Sequence, residues 1–169
     1  MIRKQRAAKA PPAAAKQSVK PSELDLDLLP SLVGYQLRLT QLAYFFDFAK
    51  SVDDALVSPG RFGVLVLIGA NPGLTQSRLA LATHLDRSTM VAVIDLLESR
   101  GLVERRAAPS DRRSNALWLT EKGKRLLRTM KQRVLAHDQR LSSGIGSQQA
   151  QELIAMLERM RRSILGGEA

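Results

Sequence analysis

The spacing of apolar residues along the chain predicts a series of helices. Between Leu28 and Ala49, apolar residues recur three and four positions apart, which is the period of one helical face. Asp27 is expected to cap this first helix. A second helix is predicted to begin at Ser58-Pro59, where Pro occupies the first helical position, and to end at Asn71-Pro72-Gly73.

Two shorter helices follow, separated by a tight turn, and then the period changes. Gly101 is expected to end the second of these helices. Residues 102–106 and 115–119 are predicted to be strands, joined by a polar stretch that contains turn-forming residues. Two long helices complete the chain. The N-caps expected for these four helices are Thr75, Asp86, Thr120 and Ser147.

The predicted architecture is mainly α with a small β-hairpin, which together form a winged helix-turn-helix lobe and a helical dimerisation region. We divide the chain into a flexible basic tail (1–21), an N-terminal dimerisation and ligand-pocket helix (22–57), the winged lobe (58–120) and C-terminal dimerisation helices (121–169).

Charge is distributed unevenly along the 169 residues, whose formal net charge is +10. Residues 1–21 carry six basic and no acidic side chains, and residues 76–140 carry fourteen basic against seven acidic ones. This surplus favours a polyanionic partner, either a nucleic acid or an anionic membrane surface. Two interpretations of the tail stay open: a solubilising extension, or an arm that contacts phosphates without reading sequence.

Composition excludes several classes of site. The chain has no cysteine and only two histidines, which excludes disulfides, thiol chemistry and Cys-ligated zinc and disfavours a multi-His metal site. It lacks a nucleophile–base pairing and a phosphate loop, so we expect neither an enzyme, a metal nor a cofactor. With no apolar run long enough for a membrane span and no signal-peptide core, a cytoplasmic location is expected.

The helix pair and the hairpin are typical of a DNA-reading unit. The second helix of the pair is slim enough to enter the major groove, with its N-terminal residues at the base edges. The first helix would lie near the DNA backbone, and the hairpin tip would reach phosphates or the minor groove. The expected DNA contacts are Gln76, Ser77, Arg78, Arg87, Ser88, Thr89, Ala92, Arg112 and Arg113.

Two acidic residues are candidates to orient the wing. Asp111 precedes Arg112 and Arg113 and can hold Arg113 by a charge-assisted hydrogen bond, and Asp95 on the second helix can act similarly. The alternative is that the arginines of the hairpin are simply a solvated face. Their concentration beside a helix pair favours a role in DNA binding.

The chain resembles the MarR family of bacterial transcriptional regulators over about residues 28–165. The resemblance rests on the order and spacing of five segments: Leu74–Ala80, Asp86–Thr89, Asp95–Val103, Asp111–Arg113 and Leu119–Gly123. It implies a homodimer that places two winged lobes on a palindromic site in double-stranded DNA. One departure from the family pattern is Ala92, where a polar or basic residue is frequent. Ala92 and Val91 can touch thymine methyl groups but cannot donate hydrogen bonds.

The first helix is the candidate effector site. It holds five of the seven aromatic residues of the chain and Arg38, the one cation between Lys20 and Lys50. In a purely structural interpretation, the aromatic side chains belong to the hydrophobic core and Arg38 pairs with an acidic side chain. The alternative is an aromatic pocket whose arginine binds an acidic group. The candidate effector-binding residues are Tyr35, Arg38, Tyr44, Phe45 and Phe46.

The segment from Gly34 to Gln41 is similar to the branch of the MarR family that governs catabolism of aromatic acids. That resemblance implies release from DNA by an aryl-CoA thioester such as a hydroxycinnamoyl-CoA. A free phenolic compound or aromatic carboxylate is the alternative effector. A winged-helix module for DNA binding or protein contact without any effector is the alternative function.

Overall fold

The structure is a computed structural model that describes residues 24–52, 58–108 and 111–166, without the side chains of residues 108 and 111–115. The chain divides into two compact units after Leu39. The described part of the first unit holds a 3-10 helix, Leu29–Ser31, and the start of α1. None of the described helices is long and apolar enough to cross a membrane.

The described residues form six α-helices and three strands in chain order. The helices are α1 (Val33–Val52), α2 (Pro59–Ala70), α3 (Gln76–Thr83), α4 (Arg87–Ser99), α5 (Glu121–Ser143) and α6 (Ser147–Leu165). The strands are β1 (Leu74–Thr75), β2 (Val103–Ala108) and β3 (Asp111–Leu119). The mainly helical fold with a small winged sheet is therefore confirmed.

The predicted caps are correct for four helices and wrong for two. Ser58, Thr75, Asp86 and Thr120 each accept a hydrogen bond from a backbone N–H in the first turn of α2, α3, α4 and α5. Gly146, with φ of +88°, occupies the cap position of α6 instead of Ser147.

The start of the first helix also differs from the prediction. Asp27 has φ of +49° and caps no helix, and Leu32 is extended between the 3-10 helix and α1. Pro30 lies in the first turn of the 3-10 helix, where its missing N–H leaves no hydrogen bond unmade. The extended Leu32 restarts the chain, so α1 begins at Val33 rather than near Leu28.

The sheet is antiparallel with the order β1-β3-β2. Its strands extend further toward the hairpin tip than the predicted 102–106 and 115–119, because the ladder continues to the pair Ala108↔Asp111 after a register shift. The prediction missed β1, because a strand of two residues is too short to show a period. β1 pairs with β3 through Leu74↔Leu117.

Two apolar clusters hold the second unit together. The larger one joins α2, α3, α4, the sheet and α5, and its fully buried members include Leu65, Ile68, Leu79, Met90, Ile94 and Leu117. The smaller one joins Phe48 and Val52 of α1 to Met130 of α5. The larger cluster places α4 with one face in the core and the other exposed.

Candidate nucleic-acid interface

The turn between α3 and α4 is tight because His84 adopts a left-handed conformation with φ of +52°. It allows the N–H of Leu85 to reach the carbonyl of Ala80 at 3.2 Å, which closes the end of α3. Asp86 then caps α4 two residues later. His84 is exposed in this turn. The two helices thus meet as a helix-turn-helix.

Asp86 organises the N-terminus of α4 through three hydrogen bonds. It accepts the backbone N–H of Thr89 at 2.8 Å, the hydroxyl of Thr89 at 2.6 Å and the hydroxyl of Ser88 at 2.5 Å. The hydrogen bond from Ser88, followed by those from Thr89, holds the pKa of the Asp86 carboxyl far below its usual range. The first turn of the candidate reading helix is therefore held in one arrangement.

We expect Asp86→Ala to lower the melting temperature. Asp86→Asn should lower it much less, because Asn is also a good N-cap. The pKa of Asp86 is lowered in the folded state, so its stabilisation is complete above its unfolded pKa and is lost as pH falls through the folded value. The difference in melting temperature between wild type and Asp86→Ala should shrink below about pH 4. Circular dichroism melts across acid to neutral pH measure this. A difference that stays constant down to strong acid would contradict a charged cap.

The solvent face of α4 carries the residues expected to contact DNA. Arg87, Ser88, Thr89 and Ala92 are all exposed, while the opposite face is buried. On α3, Ser77 and Arg78 are exposed, and Gln76 is half-buried. These seven residues belong to one helix-turn-helix: six lie in the first turn of α3 or α4, and Ala92 lies in the second turn of α4.

The wing is fixed to α4 by Arg105 of β2. Its guanidinium pairs with Asp95 at 2.6 Å and with Glu98, and its backbone N–H donates to Glu98 at 3.3 Å. The hydrogen bond with Asp95 is the main cause that raises the pKa of Arg105. Asp95 thus joins the wing to α4 through Arg105, a partner that sequence analysis did not name. The side chains of Asp111, Arg112 and Arg113 lie outside the described part of the chain.

The aromatic residues of α1 occupy different environments. In the first unit, Tyr35 is half-buried and Arg38 is exposed. In the second unit, Tyr44 packs against Phe48, while Phe45 and Phe46 are 45% and 66% exposed. Burial is the main cause that raises the pKa of Tyr44. Phe48 is therefore a core residue and Tyr44 is partly buried against it, whereas Phe45 and Phe46 lie mostly on the surface.

A polar cluster that sequence analysis missed joins α1 to α5. Arg140 donates to Asp47 at 2.7 Å and to the hydroxyl of Ser51 at 2.8 Å. The hydrogen bond from Arg140 is the main cause that lowers the pKa of Asp47. These residues are 89 or more positions apart along the chain, so no local pattern could have indicated the pairing.

His137 belongs to the same cluster and corrects an expectation. From the sequence alone, a histidine at this position on the long helix after the wing is expected to be exposed or at an interface, but His137 is only 2% exposed. Its ring meets those of Tyr44 and Phe48 edge to face, with centroids 5.2 and 5.7 Å away. Nε2 lies 3.0 Å from Asp47, yet neither ring nitrogen makes a well-aligned hydrogen bond within the described residues. His137 is thus a packed core residue rather than a surface contact.

Comparison with known proteins identifies this arrangement. The sequence profile described as MarR family matches residues 57–114, which contain the helix-turn-helix and most of the wing. A protein of Thauera aromatica assigned to transcriptional regulation of the hcr operon is 39% identical over 131 residues, which cover 77% of this chain and 79% of that protein. This chain belongs to the MarR family. Its relatives are transcriptional regulators rather than enzymes, and this MarR protein is a DNA-binding transcriptional regulator.

Two solved structures of the transcriptional repressor CouR are similar to this MarR protein. One, bound to a 23-mer DNA duplex, is 40% identical with a TM-score of 0.78, over 83% of this chain and 99% of that chain. The other, bound to p-coumaroyl-CoA, is 36% identical with a TM-score of 0.77 over the same shares. These similarities confirm the resemblance of this chain to the branch of the family that responds to hydroxycinnamoyl-CoA.

Proposed function

We propose that this protein is a homodimeric repressor that binds a palindromic operator and is released from it by an aromatic effector, an aryl-CoA thioester such as a hydroxycinnamoyl-CoA. The observation that carries the proposal is the similarity to CouR, whose structures include one with a DNA duplex and one with p-coumaroyl-CoA. The exposed face of α4, braced to the wing by Arg105, is consistent with the DNA half of this function.

Support for a homodimer comes from α6. It buries none of its residues, and its exposed apolar side chains include Leu153, Ile154, Leu157 and Ile164. Such a face is costly to leave in water and suits a two-fold contact with a second copy.

Sedimentation of the protein at micromolar concentration should therefore give the mass of a dimer. In this proposal, residues 22–57 and 121–169 form the dimerisation region, and residues 58–120 form the DNA-binding lobe.

The proposed DNA contacts combine exposed side chains of α3 and α4 with the wing. Arg87, Ser88, Thr89 and Ala92 would face the bases, and Arg112 and Arg113 would reach the minor groove or phosphates. Because the hydroxyls of Ser88 and Thr89 donate hydrogen bonds to Asp86, they can act toward the bases only as acceptors. Arg87 is therefore the main hydrogen-bond donor in the first turn of α4.

The function is tested by operator release. Genomic fragments bound by the protein are recovered and sequenced, and the bound duplex is challenged with p-coumaroyl-CoA and with free p-coumarate side by side. Release by the thioester alone supports the proposal. Release by the free acid favours the alternative of a free phenolic or carboxylate effector. If neither releases the duplex, the protein matches the alternative of a winged-helix module without an effector.

We expect Arg38→Ala to lose the effector response while keeping operator affinity within about twofold. Arg38 is an exposed cation of α1, remote in sequence from the helix-turn-helix, and would bind an acidic group of the effector. Fluorescence anisotropy of a labelled operator, titrated with effector, measures both quantities. Arg38→Lys is the matched control and should respond at higher effector concentration, because it keeps the charge without the planar guanidinium. An unchanged response in Arg38→Ala would remove Arg38 from the site.

A further inference from the structure

A cavity of about 550 Å³ in the second unit lies apart from both the exposed face of α4 and the aromatic residues of α1. It lies between the end of α2, the outer side of the wing strands and the first half of α5. None of the residues assigned to DNA or effector contacts lines it. Its volume is in the range of sites that hold one small molecule.

The walls of the cavity combine an indole with a row of cations. Its floor is apolar and includes Ile68, Leu119 and Leu127. Trp118 lies at one side, with the guanidinium of Arg106 over its ring at 5.0 Å. The cationic side chains that line the cavity are Arg106, Lys124, Arg128 and Lys131, and Glu121 is its one acidic residue.

The cationic side chains that α5 contributes to the cavity are spread along the helix axis rather than clustered at one position. Lys124, Arg128 and Lys131 are four and three residues apart, so they share one helical face and extend over about 10 Å. Glu121 is paired with Lys124 at 2.7 Å. Arg128 and Lys131 make no hydrogen bond or ion pair with any residue in the described ranges. A single carboxylate would engage one of these cations, whereas a chain of phosphates can engage several.

We propose that this cavity binds a nucleotide that carries two or more phosphates. The base would pack against Trp118 and the apolar floor, and the phosphates would extend along Arg128 and Lys131. The shared chemistry is an adenosine or guanosine diphosphate group, which occurs free or as the nucleotide end of CoA. Because Arg106 neighbours Arg105 on β2, the bound nucleotide would contact the strand whose Arg105 holds the wing on α4.

Trp118 makes the site directly observable, since it is the only tryptophan in the chain. We expect ADP to quench its fluorescence saturably, with adenosine and inorganic phosphate each binding at least about tenfold more weakly because each lacks one half of the contacts. The measurement needs neither operator nor effector, so it succeeds or fails independently of the proposed function. Absence of saturable quenching by both ADP and CoA, or binding of adenosine as tight as that of the nucleotide, would overturn the proposal.

A matched pair of variants on α5 locates the phosphates. Arg128→Gln should weaken ADP binding about tenfold, and Arg125→Gln should leave it nearly unchanged. Both arginines are exposed on the same helix, and only Arg128 lines the cavity. Circular dichroism melts confirm that both variants fold. Equal effects of the two variants would show general charge attraction rather than this cavity and would overturn the assignment.

Two further arms separate the possible sources of the ligand. Titration with CoA tests the nucleotide end of a thioester, and comparison with ADP shows which of the two binds more tightly. Saturable quenching by either compound supports the proposal if Arg128→Gln weakens that binding. A short duplex tests whether this face contacts nucleic acid instead. If the duplex changes Trp118 fluorescence in an Arg128-dependent manner while ADP and CoA do not, the cavity belongs to the DNA interface and the proposal is wrong.

Discussion

Gly123→Ala is expected to destabilise this protein severely, by at least about 3 kcal/mol. A Cβ added at Gly123 would lie 2.0 Å from the carbonyl oxygen of Leu102 and 3.0 Å from its carbonyl carbon. Both are backbone atoms, so no side chain can rotate away to make room. The same region is held by Thr120, whose hydroxyl donates to the carbonyl of Gly101 at 2.6 Å. The first turn of α5 and the start of β2 would have to separate.

Gly63→Ala is the matched control, since Gly63 lies inside α2 and no described atom comes within 4 Å of its added Cβ. Replacing a mid-helix glycine with alanine should raise stability by about 0.5–1 kcal/mol. Urea unfolding followed by circular dichroism gives both values at one protein concentration. A Gly123→Ala variant as stable as wild type would mean that α5 and β2 are not packed as described.

The sequence predicted most of the helices and the wing because their signals are local. Ser58, Thr75, Asp86 and Thr120 each stand immediately before an apolar-periodic segment, and each caps the helix it was expected to cap. Gly101 was expected to end α4, and its φ of +66° with the hydrogen bond from Leu102 to Leu97 closes that helix.

The interactions that the sequence did not predict depend on residues far apart in the chain. The pairing of Arg140 with Asp47 and the burial of His137 against α1 arise only once α5 has packed on α1. The bond from Arg105 to Asp95 needs the hairpin to fold back onto α4. Periodicity reports which face of a helix is buried, but it does not report which other helix covers that face.

Arg87→Ala is expected to weaken operator binding about 100-fold, from about 1.4 kcal/mol lost in each subunit of the proposed dimer. Arg87 is the first residue of α4 and is exposed. The hydroxyls of its neighbours Ser88 and Thr89 donate hydrogen bonds to Asp86, so the guanidinium is expected to supply the donors for acceptors such as guanine O6 and N7. Anisotropy titrations at one salt concentration, with the operator and with an unrelated duplex, measure affinity and specificity together.

Arg100→Ala supplies the control, because Arg100 is an exposed arginine at the opposite end of the same helix. It removes the same charge away from the expected base contacts, so operator affinity should fall by only a few-fold. Loss of affinity for the operator but not for the unrelated duplex would assign Arg87 to base reading. An equal loss on both duplexes would place Arg87 on a phosphate. Unchanged operator binding by Arg87→Ala would contradict the assignment of α4 as the reading helix, since its first turn has no other exposed cation.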